Sequence, residues 1–230
     1  MSDGFTPRAA TFNAGQRAYV TLNGTNLETT HGLYLTDYSV GTPEPLLNLI
    51  DVPGRPGKLD ATLALNGKVN YTTRPVTAEF HVRNNPYPDF HTLLSTLLRL
   101  FNGTESKMVF STDPDWYYKG RFTIDAEKTN PVSSTIVIKC DDAFPYKLES
   151  YTNTGTLNGG TGVLVCVGKD YNGTVTVNVS AAMSLTFGGT TYQLASGNNT
   201  IREIHIAKGN NSLSFTGSGT ISVTYERGIL

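Results

Sequence analysis

The chain has 230 residues, enough for one large domain or two modest ones, and 18 Lys+Arg against 19 Asp+Glu leave a formal charge of -1. That balance gives no basic footprint for a polyphosphate backbone, which excludes nucleic acid as the main ligand. No run approaches the ~20 apolar residues of a spanning helix, and MSDGFTPRAATF lacks a basic segment followed by an apolar one, so the expectation is a protein without membrane contact or a standard export signal.

Along residues 1–150, alternation of apolar with polar side chains predicts strands at 17–22, 33–40, 59–65, 76–82, 107–110, 117–124 and 135–140. One segment has a different period. Phe90, Leu93, Leu94, Leu97, Leu98 and Phe101 repeat at three- and four-residue spacing, the stripe of an amphipathic helix. Asp89 is placed to cap it, Gly103 to end it, and Tyr87-Pro88 to set its approach. Cys140 closes the strand at 135–140 and Cys166 sits within Val163-Leu-Val-Cys-Val167; both read as buried free thiols.

Past Tyr151 the character changes. Residues 1–150 hold 30 charged positions, whereas 151–230 hold 7, and Gly, Ser, Thr and Asn make up 41 of those 80 residues. Such a composition suits disorder unless apolar residues recur in phase, and here they do, at 174–179, 183–187, 201–206, 213–215 and 221–225. Asn172-Gly173, Gly188-Gly189, Gly197-Asn-Asn199, Gly209-Asn-Asn211 and Gly217-Ser-Gly219 separate these strands as expected turns. The prediction is a mainly β protein. An α+β domain at 1–148 has one amphipathic helix on antiparallel sheets, and 149–230 form a small β-sandwich.

Candidate chemistry is sparse. His31, His81, His91 and His205 share no metal-ligand spacing, and no phosphate cradle, nucleophile elbow or calcium loop is present, so no catalytic residue, metal or cofactor is expected. Asp113 and Asp115 beside Trp116 could in principle serve as paired carboxylates of a glycosidase, but Ser111-Thr-Asp-Pro-Asp115 between two strands reads first as turn chemistry. Tyr171, Tyr192 and Tyr225 could stack on sugar rings, which keeps a carbohydrate-binding adhesin domain open as an alternative, or pack half-buried on strands. In Val52-Pro-Gly-Arg-Pro-Gly57, Pro53 and Gly54 shape a turn, and Arg55 is either a surface side chain or one available to a neighbouring subunit's carboxylate.

Several segments in order carry a resemblance. They are Gly32-Leu-Tyr-Leu35, Ile50-Asp-Val-Pro-Gly-Arg-Pro-Gly-Lys-Leu-Asp60, Thr73-Arg-Pro-Val76, the helix at 90–101, Asp113-Pro-Asp-Trp-Tyr-Tyr-Lys-Gly120, Pro145-Tyr146, Phe215-Thr-Gly-Ser-Gly-Thr220 and Tyr225-Glu-Arg-Gly228. Together they resemble the distal tail proteins of long-tailed, non-contractile phages, especially those infecting Gram-positive hosts. The resemblance implies an N-terminal domain that closes into a homo-hexameric ring continuing the tail tube, and a galectin-like C-terminal sandwich. The implied partners are the tail tube protein, tail-tip or fibre proteins, a tail-associated lysin and receptor-binding proteins. The implied place is the virion tail tip, after assembly in the host cytoplasm. The C-terminal part, short for the family, leaves little room for an inserted carbohydrate module.

Overall fold

The computed structural model describes residues 17–64, 67–83, 86, 88–127 and 134–230. The protein is mainly β, with antiparallel sheets and two helices among the described residues. It divides into two compact units, Met1–Pro145 and Tyr146–Leu230.

Unit 1 begins with the hairpin of β1 (Val20–Leu22) and β2 (Thr25–Asn26). Asn23 and Gly24 turn it, both at positive φ (49° and 81°), the backbone that matches the twist of paired strands. The short α1 (Leu27–His31) follows directly; Asn26 caps it by accepting from the amides of Glu28 and Thr29, and Gly32 ends it at φ 67°. Next comes β3 (Leu33–Val40), then four two-residue strands, β4 (Pro45–Leu46), β5 (Leu49–Ile50), β6 (Leu59–Asp60) and β7 (Asn70–Tyr71). β4 pairs with β7 and β5 with β6, so residues 41–64 and 67–73 form a nested ribbon, hereafter the arm. The chain resumes with β8 (Arg74–Val82), α2 (Phe90–Phe101), β9 (Glu105–Phe110), β10 (Tyr118–Arg121), β11 (Thr123–Glu127) and β12 (Thr135–Ala143).

Two four-stranded antiparallel sheets result, in the orders β10-β9-β1-β2 and β11-β12-β8-β3. Strand alternation drives the packing: Val76, Ala78 and Phe80 of β8 and Ile136 and Ile138 of β12 turn inward to meet Leu22, Met108, Leu93 and Leu97. Each fully buried Leu, Ile or Phe contributes about 1.5–3 kcal/mol. α2 has the bounds its periodicity predicts: Asp89 Oδ1 accepts from the Thr92 amide at 2.8 Å, and Gly103 takes φ 69° just past the last turn. Its buried stripe is narrower than expected, since Leu93, Leu97 and Phe101 are buried while Leu98 is exposed. Tyr87 lies outside the described residues.

Two expectations for unit 1 need correction. The strand predicted at 117–124 is two strands in different sheets, because the chain breaks at the fully buried Phe122 and crosses from one sheet to the other. The strand predicted at 59–65 stops at Asp60, whose side chain accepts from the Thr62 amide at 2.9 Å and starts a turn; Leu65 is outside the described residues.

Unit 2 contains β13 (Lys147–Gly168), β14 (Tyr171–Asn172), β15 (Val175–Val179), β16 (Met183–Phe187), β17 (Thr190–Leu194), β18 (Gly197–Ile201) and β19 (Gly209–Ile229). The strand order is β17-β16-β19-β15-β18, with β13 and β14 also paired to β19. β13 and β19 run antiparallel from Lys147↔Ile229 to Gly168↔Gly209. A straight strand of that length would span roughly 70 Å. Yet Asn153 Nδ2 reaches the Val165 carbonyl at 2.7 Å and Tyr225 Oη reaches the Val167 carbonyl at 2.9 Å. The two-stranded ribbon therefore folds back on itself. The corner is a bulge in which Gly159 and Gly160 (φ 102° and 85°) oppose Gly217 (φ 151°). One half of the ribbon is extended by β15 and β18 and the other by β16 and β17, around a core that includes Phe215, Leu213, Leu185, Val177 and Val223.

This corner corrects another expectation. Gly217-Ser-Gly219 does not reverse the chain between two strands; it bends one continuous strand, β19. The strand predicted at 201–206 is also absent: Ile201 ends β18, and Ile204 and Ile206 are buried from an irregular loop. That loop's backbone is held by side chains, as Asn172 Nδ2 donates to the Ile206 carbonyl and Asn211 Oδ1 accepts from the Ala207 amide. Cys140 and Cys166 are both buried and free; each lies in the core of its own unit.

Candidate assembly surfaces

At the arm's end, Val52, Pro53, Gly54 and Arg55 form a tight turn in which the Arg55 amide donates to the Val52 carbonyl at 3.2 Å. Pro53 presets φ and Gly54, at φ 78°, occupies the position that requires a left-handed backbone. All four residues are exposed. Asp113 and Asp115 lie elsewhere, in the turn after β9: the Asp113 amide donates to Phe110 and the Asp113 carbonyl accepts from the Trp116 amide. The two groups of sequence candidates thus occupy separate elements of unit 1.

The arm is ordered by its own polar groups. The Glu44 amide donates to Thr72 Oγ1 at 2.9 Å and the Thr72 amide to the Glu44 carbonyl at 2.8 Å. Further out, the Asn48 amide donates to Thr62 Oγ1 and the Ala61 amide to the Asn48 carbonyl. Its apolar side chains have no comparable cover. Leu46, Leu47, Leu49, Ile50, Val52, Leu59 and Leu63 are each 38–60% exposed and account for seven of the fifteen large exposed hydrophobics among the described residues. Their concentration within 18 positions is unlike the scattered apolar exposure of an ordinary surface. A two-stranded ribbon without a packed face is also marginal by itself in water.

Unit 2 presents a different surface. On one outer face Thr152, Thr224, Thr176 and Thr200 line up across β13, β19, β15 and β18, followed by Thr154, Ser222, Asn178 and Asn198. Cross-strand contacts between hydroxyls (Thr152–Thr224 at 3.0 Å, Thr161–Thr216 and Thr186–Thr191 at 2.9 Å) tie such rungs together. This is where the low charge density of the second half goes: outward positions that usually carry Lys or Glu carry hydroxyls and amides. On the other half of the ribbon, beyond the corner, Val163, Val165 and Val167 of β13 form an exposed apolar stripe. Two carbonyls of that stripe are already used, Val165 by Asn153 and Val167 by Tyr225 and by Arg227 Nη1 at 2.7 Å. Arg227 also donates to Glu149 at 2.8 Å and lies 3.9 Å over the Tyr151 ring, while Lys169 reaches the same carboxylate at 2.9 Å.

The tyrosines considered for sugar stacking all take part in packing, Tyr225 fully and Tyr171 and Tyr192 in part. Tyr225 is only 2% exposed, and burial pushes its phenol above the ordinary range. Tyr192 packs on the core, and Tyr171 stacks on Tyr146 with centroids 5.6 Å apart. Among the described residues no three His, Cys, Asp or Glu side chains group as metal ligands. Burial drives the Cys166 thiol up to about 11 and raises Cys140, so neither is poised as a thiolate. Arg74, present in the sequence only as part of the Thr73-Arg-Pro-Val76 segment and assigned no role there, is 5% exposed at the root of the arm, its guanidinium carbon 5.8 Å from the Tyr118 ring; desolvation lowers its pKa.

The sequence profile of the phage tail protein RIFT-related domain matches residues 24–140, from β2 to β12 and including the whole arm. Among solved structures the chain is similar to the Dit protein of phage SPP1, described as a paradigm of hub adsorption apparatus in Gram-positive-infecting phages. That match has 14% identity over 94% of this chain and 100% of the other, with a TM-score of 0.55. A chain of the phage P2 baseplate in its activated conformation with calcium matches at 7% identity over 93% and 99%, TM-score 0.55. The same baseplate with strontium matches at 8%, again over 93% and 99%, TM-score 0.50. At such identities the likeness is one of fold. No curated protein matches.

Proposed function

The chain belongs to the phage tail protein RIFT-related domain family and resembles a siphophage distal tail protein, and from that premise we propose that it is the structural hub of a long, non-contractile tail. In this reading unit 1 closes into a homo-hexameric ring that continues the tail tube. Unit 2, as a galectin-like sandwich, offers a docking face to tail-tip, fibre or receptor-binding proteins. The protein acts through surfaces repeated around the ring and not through an active site, and its place is the tail tip of the virion.

The observation that carries the reading is the arm. A closed ring needs heterologous contacts, in which one surface of a subunit meets a different surface of the next. An internally hydrogen-bonded ribbon with seven exposed apolar side chains supplies one such surface. Completing the burial of seven side chains that are each about half exposed contributes roughly 5–10 kcal/mol per contact before association costs. The Lys58–Asp51 pair on the arm, 3.6 Å apart and exposed, adds little to this.

Light scattering and negative-stain imaging of the purified chain, alone and with tail tube and tip proteins, test the proposal. The expected result is a six-membered ring, formed alone or on addition of those proteins. Replacing Leu49 and Ile50 by Ser should abolish the ring while the strand content by circular dichroism stays the same, since both side chains are already exposed. A chain that stays monomeric throughout and binds neither neighbour would refute the hub role. Retention of the ring by the double variant would move the interface away from the arm.

A further inference from the structure

Five Asn-Gly pairs occur in the sequence, at Asn23, Asn66, Asn102, Asn158 and Asn172. This dipeptide is prone to a self-modification, because glycine leaves its amide nitrogen unhindered beside the asparagine side chain. The reaction needs two freedoms. The carboxamide must rotate so that its carbon faces the following nitrogen, and the backbone must bend to close a five-membered ring.

The structure withholds rotation from three of the five. Asn23 accepts from the Lys107 amide at 2.8 Å and donates to Ser106 Oγ at 3.0 Å. Asn102 accepts from the Ile124 amide at 3.0 Å, and the Gly103 amide is itself donated to the Phe122 carbonyl at 2.8 Å. Asn172 is held by the Lys169 amide and by the carbonyls of Lys169 and Ile206, with the Gly173 amide donated to Glu226 at 2.7 Å. Asn66 lies outside the described residues, but the Gly67 amide is donated to the Leu63 carbonyl at 2.9 Å.

Asn158 is the exception. It is exposed, and among the described residues its carboxamide makes no hydrogen bond. Gly159 stands in the two-against-one bulge without a cross-strand partner in the ladder, at φ 102°. The space beside it is open: the nearest atom to a Cβ built there is Ser218 Oγ at 3.7 Å, and around Gly160 nothing comes within 4 Å. Both freedoms therefore meet at the corner of the folded ribbon.

We propose that Asn158 is the site at which this protein modifies itself, by succinimide closure onto the Gly159 nitrogen and hydrolysis to aspartate and isoaspartate. The Gly159 amide gives up its proton to hydroxide, and its nitrogen attacks the Asn158 side-chain carbonyl carbon. That carbon releases its own nitrogen, which leaves as ammonia once protonated. One water then opens the ring at either carbonyl. Opening at one yields aspartate; opening at the other yields isoaspartate, with one more methylene in the main chain. Each event places a negative charge on a corner whose sequence neighbours from Tyr151 to Gly168 carry none.

The test is a time course of the intact protein in mildly alkaline buffer, read by peptide mapping with isoaspartate detection. A synthetic peptide of residues 155–163 serves as the unconstrained clock. Asn158 should convert at a rate close to that of the peptide. Asn23, Asn102 and Asn172 should be at least about tenfold slower, since their hydrogen bonds must break before the carboxamide can turn. Asn158→Gln, whose longer side chain disfavours the closure, should remove the main acidic species that accumulates. An unmodified Asn158 after the peptide has converted would overturn the proposal. So would earlier conversion at any other Asn-Gly pair, Asn66 included, or persistence of the same acidic species in the variant.

Discussion

Asn211 holds together a turn that has no regular backbone pairing, and its removal should be the most damaging single polar change in unit 2. Its side chain is 8% exposed and makes four contacts: Oδ1 accepts from the Ala207 amide at 2.9 Å, and Nδ2 donates to the carbonyls of Ala207 at 2.8 Å, Gly209 at 2.9 Å and Cys166 at 3.4 Å. Asn211→Ala deletes all of them and strands backbone groups where water has poor access. With about 1 kcal/mol for each of the three short bonds and some relief from local relaxation, the loss is about 2–4 kcal/mol. The same motif occurs once more: Leu194-Ala-Ser-Gly-Asn-Asn-Thr-Ile201 matches Ile206-Ala-Lys-Gly-Asn-Asn-Ser-Leu213. Asn199 closes the earlier turn with the equivalent bonds to Ala195, Gly197 and Val177. It is only half-buried, so water can replace part of what Asn199→Ala removes, and about 1–2 kcal/mol is expected. Trp116, the single tryptophan, lies in unit 1, so its fluorescence does not report on this region. Hydrogen exchange of β13 and β19 peptides under increasing urea does. The exposed neighbour Asn210 provides the control. If Asn211→Ala falls within about 0.5 kcal/mol of Asn210→Ala, the ordinary range of surface substitutions, the structural role assigned to this side chain is wrong.

Two further outcomes follow from buried groups elsewhere. His31 is 3% exposed against Phe101, and desolvation holds its imidazole below the ordinary 6.5. The unfolded chain therefore binds a proton near pH 6.5 that the folded chain refuses. Stability from this source is complete above 6.5 and declines as pH falls from there towards the lower folded value. Urea midpoints read by Trp116 fluorescence should drop across that window, which lies above the ordinary aspartate value of 3.8; Asp89 is held lower still, chiefly by the hydrogen bond it accepts from the Thr92 amide. His31→Phe should flatten the slope, and an unchanged slope would remove His31 as its origin. At the corner of β19, a Cβ on Gly217 would sit 2.6 Å from Met183 Cβ at φ 151°. Gly217→Ala should cost about 1–3 kcal/mol by hydrogen exchange, more than Gly160→Ala, whose site is open; equal costs would show that backbone conformation and not crowding sets the requirement.

What could be read from the sequence was whatever depends on neighbours along the chain. The stripe from Phe90 to Phe101, with Asp89 before it and Gly103 after it, specified α2 to its bounds, because helix period and caps are local properties. Most short alternating runs became strands for the same reason. Long-range matters were hidden. Gly217 and Gly219 look like turn residues, since positive φ serves a reversal or a bend equally well; only the pairing of β19 with β13 on both sides of the bulge distinguishes them. The 22-residue β13 escaped notice because Thr, Asn and Gly dilute its alternation to the level of a loop. At Ile204 and Ile206 the period suggested a strand, but side-chain amides from Asn172 and Asn211 supply the hydrogen bonds a ladder would otherwise provide. The arm's exposure was illegible for a related reason: Leu49, Ile50 and Leu59 have the composition of a buried strand, and nothing local says that no second layer covers them.

The two units differ in which kind of group they leave unmet. In unit 2 the outer carbonyls of β13 receive Asn153, Tyr225 and Arg227, and hydroxyls on the outward faces pair across strands. At Val165 and Val167 those carbonyls are thereby occupied and not open to an added strand. In the arm the backbone is served by Thr72, Thr62 and paired strands, whereas the leucines and isoleucine are not covered. Polar satisfaction comes from within the chain, and apolar satisfaction has to come from outside it. An arm built this way keeps its shape before it meets a partner, so association need not repay the entropy of ordering it, and most of the apolar burial is available to hold a contact. A flexible loop of the same composition would bury the same leucines and retain less of the gain. The hydrogen-bonded frame under the exposed side chains, more than their hydrophobicity, is what would suit the arm to the intersubunit contact proposed above.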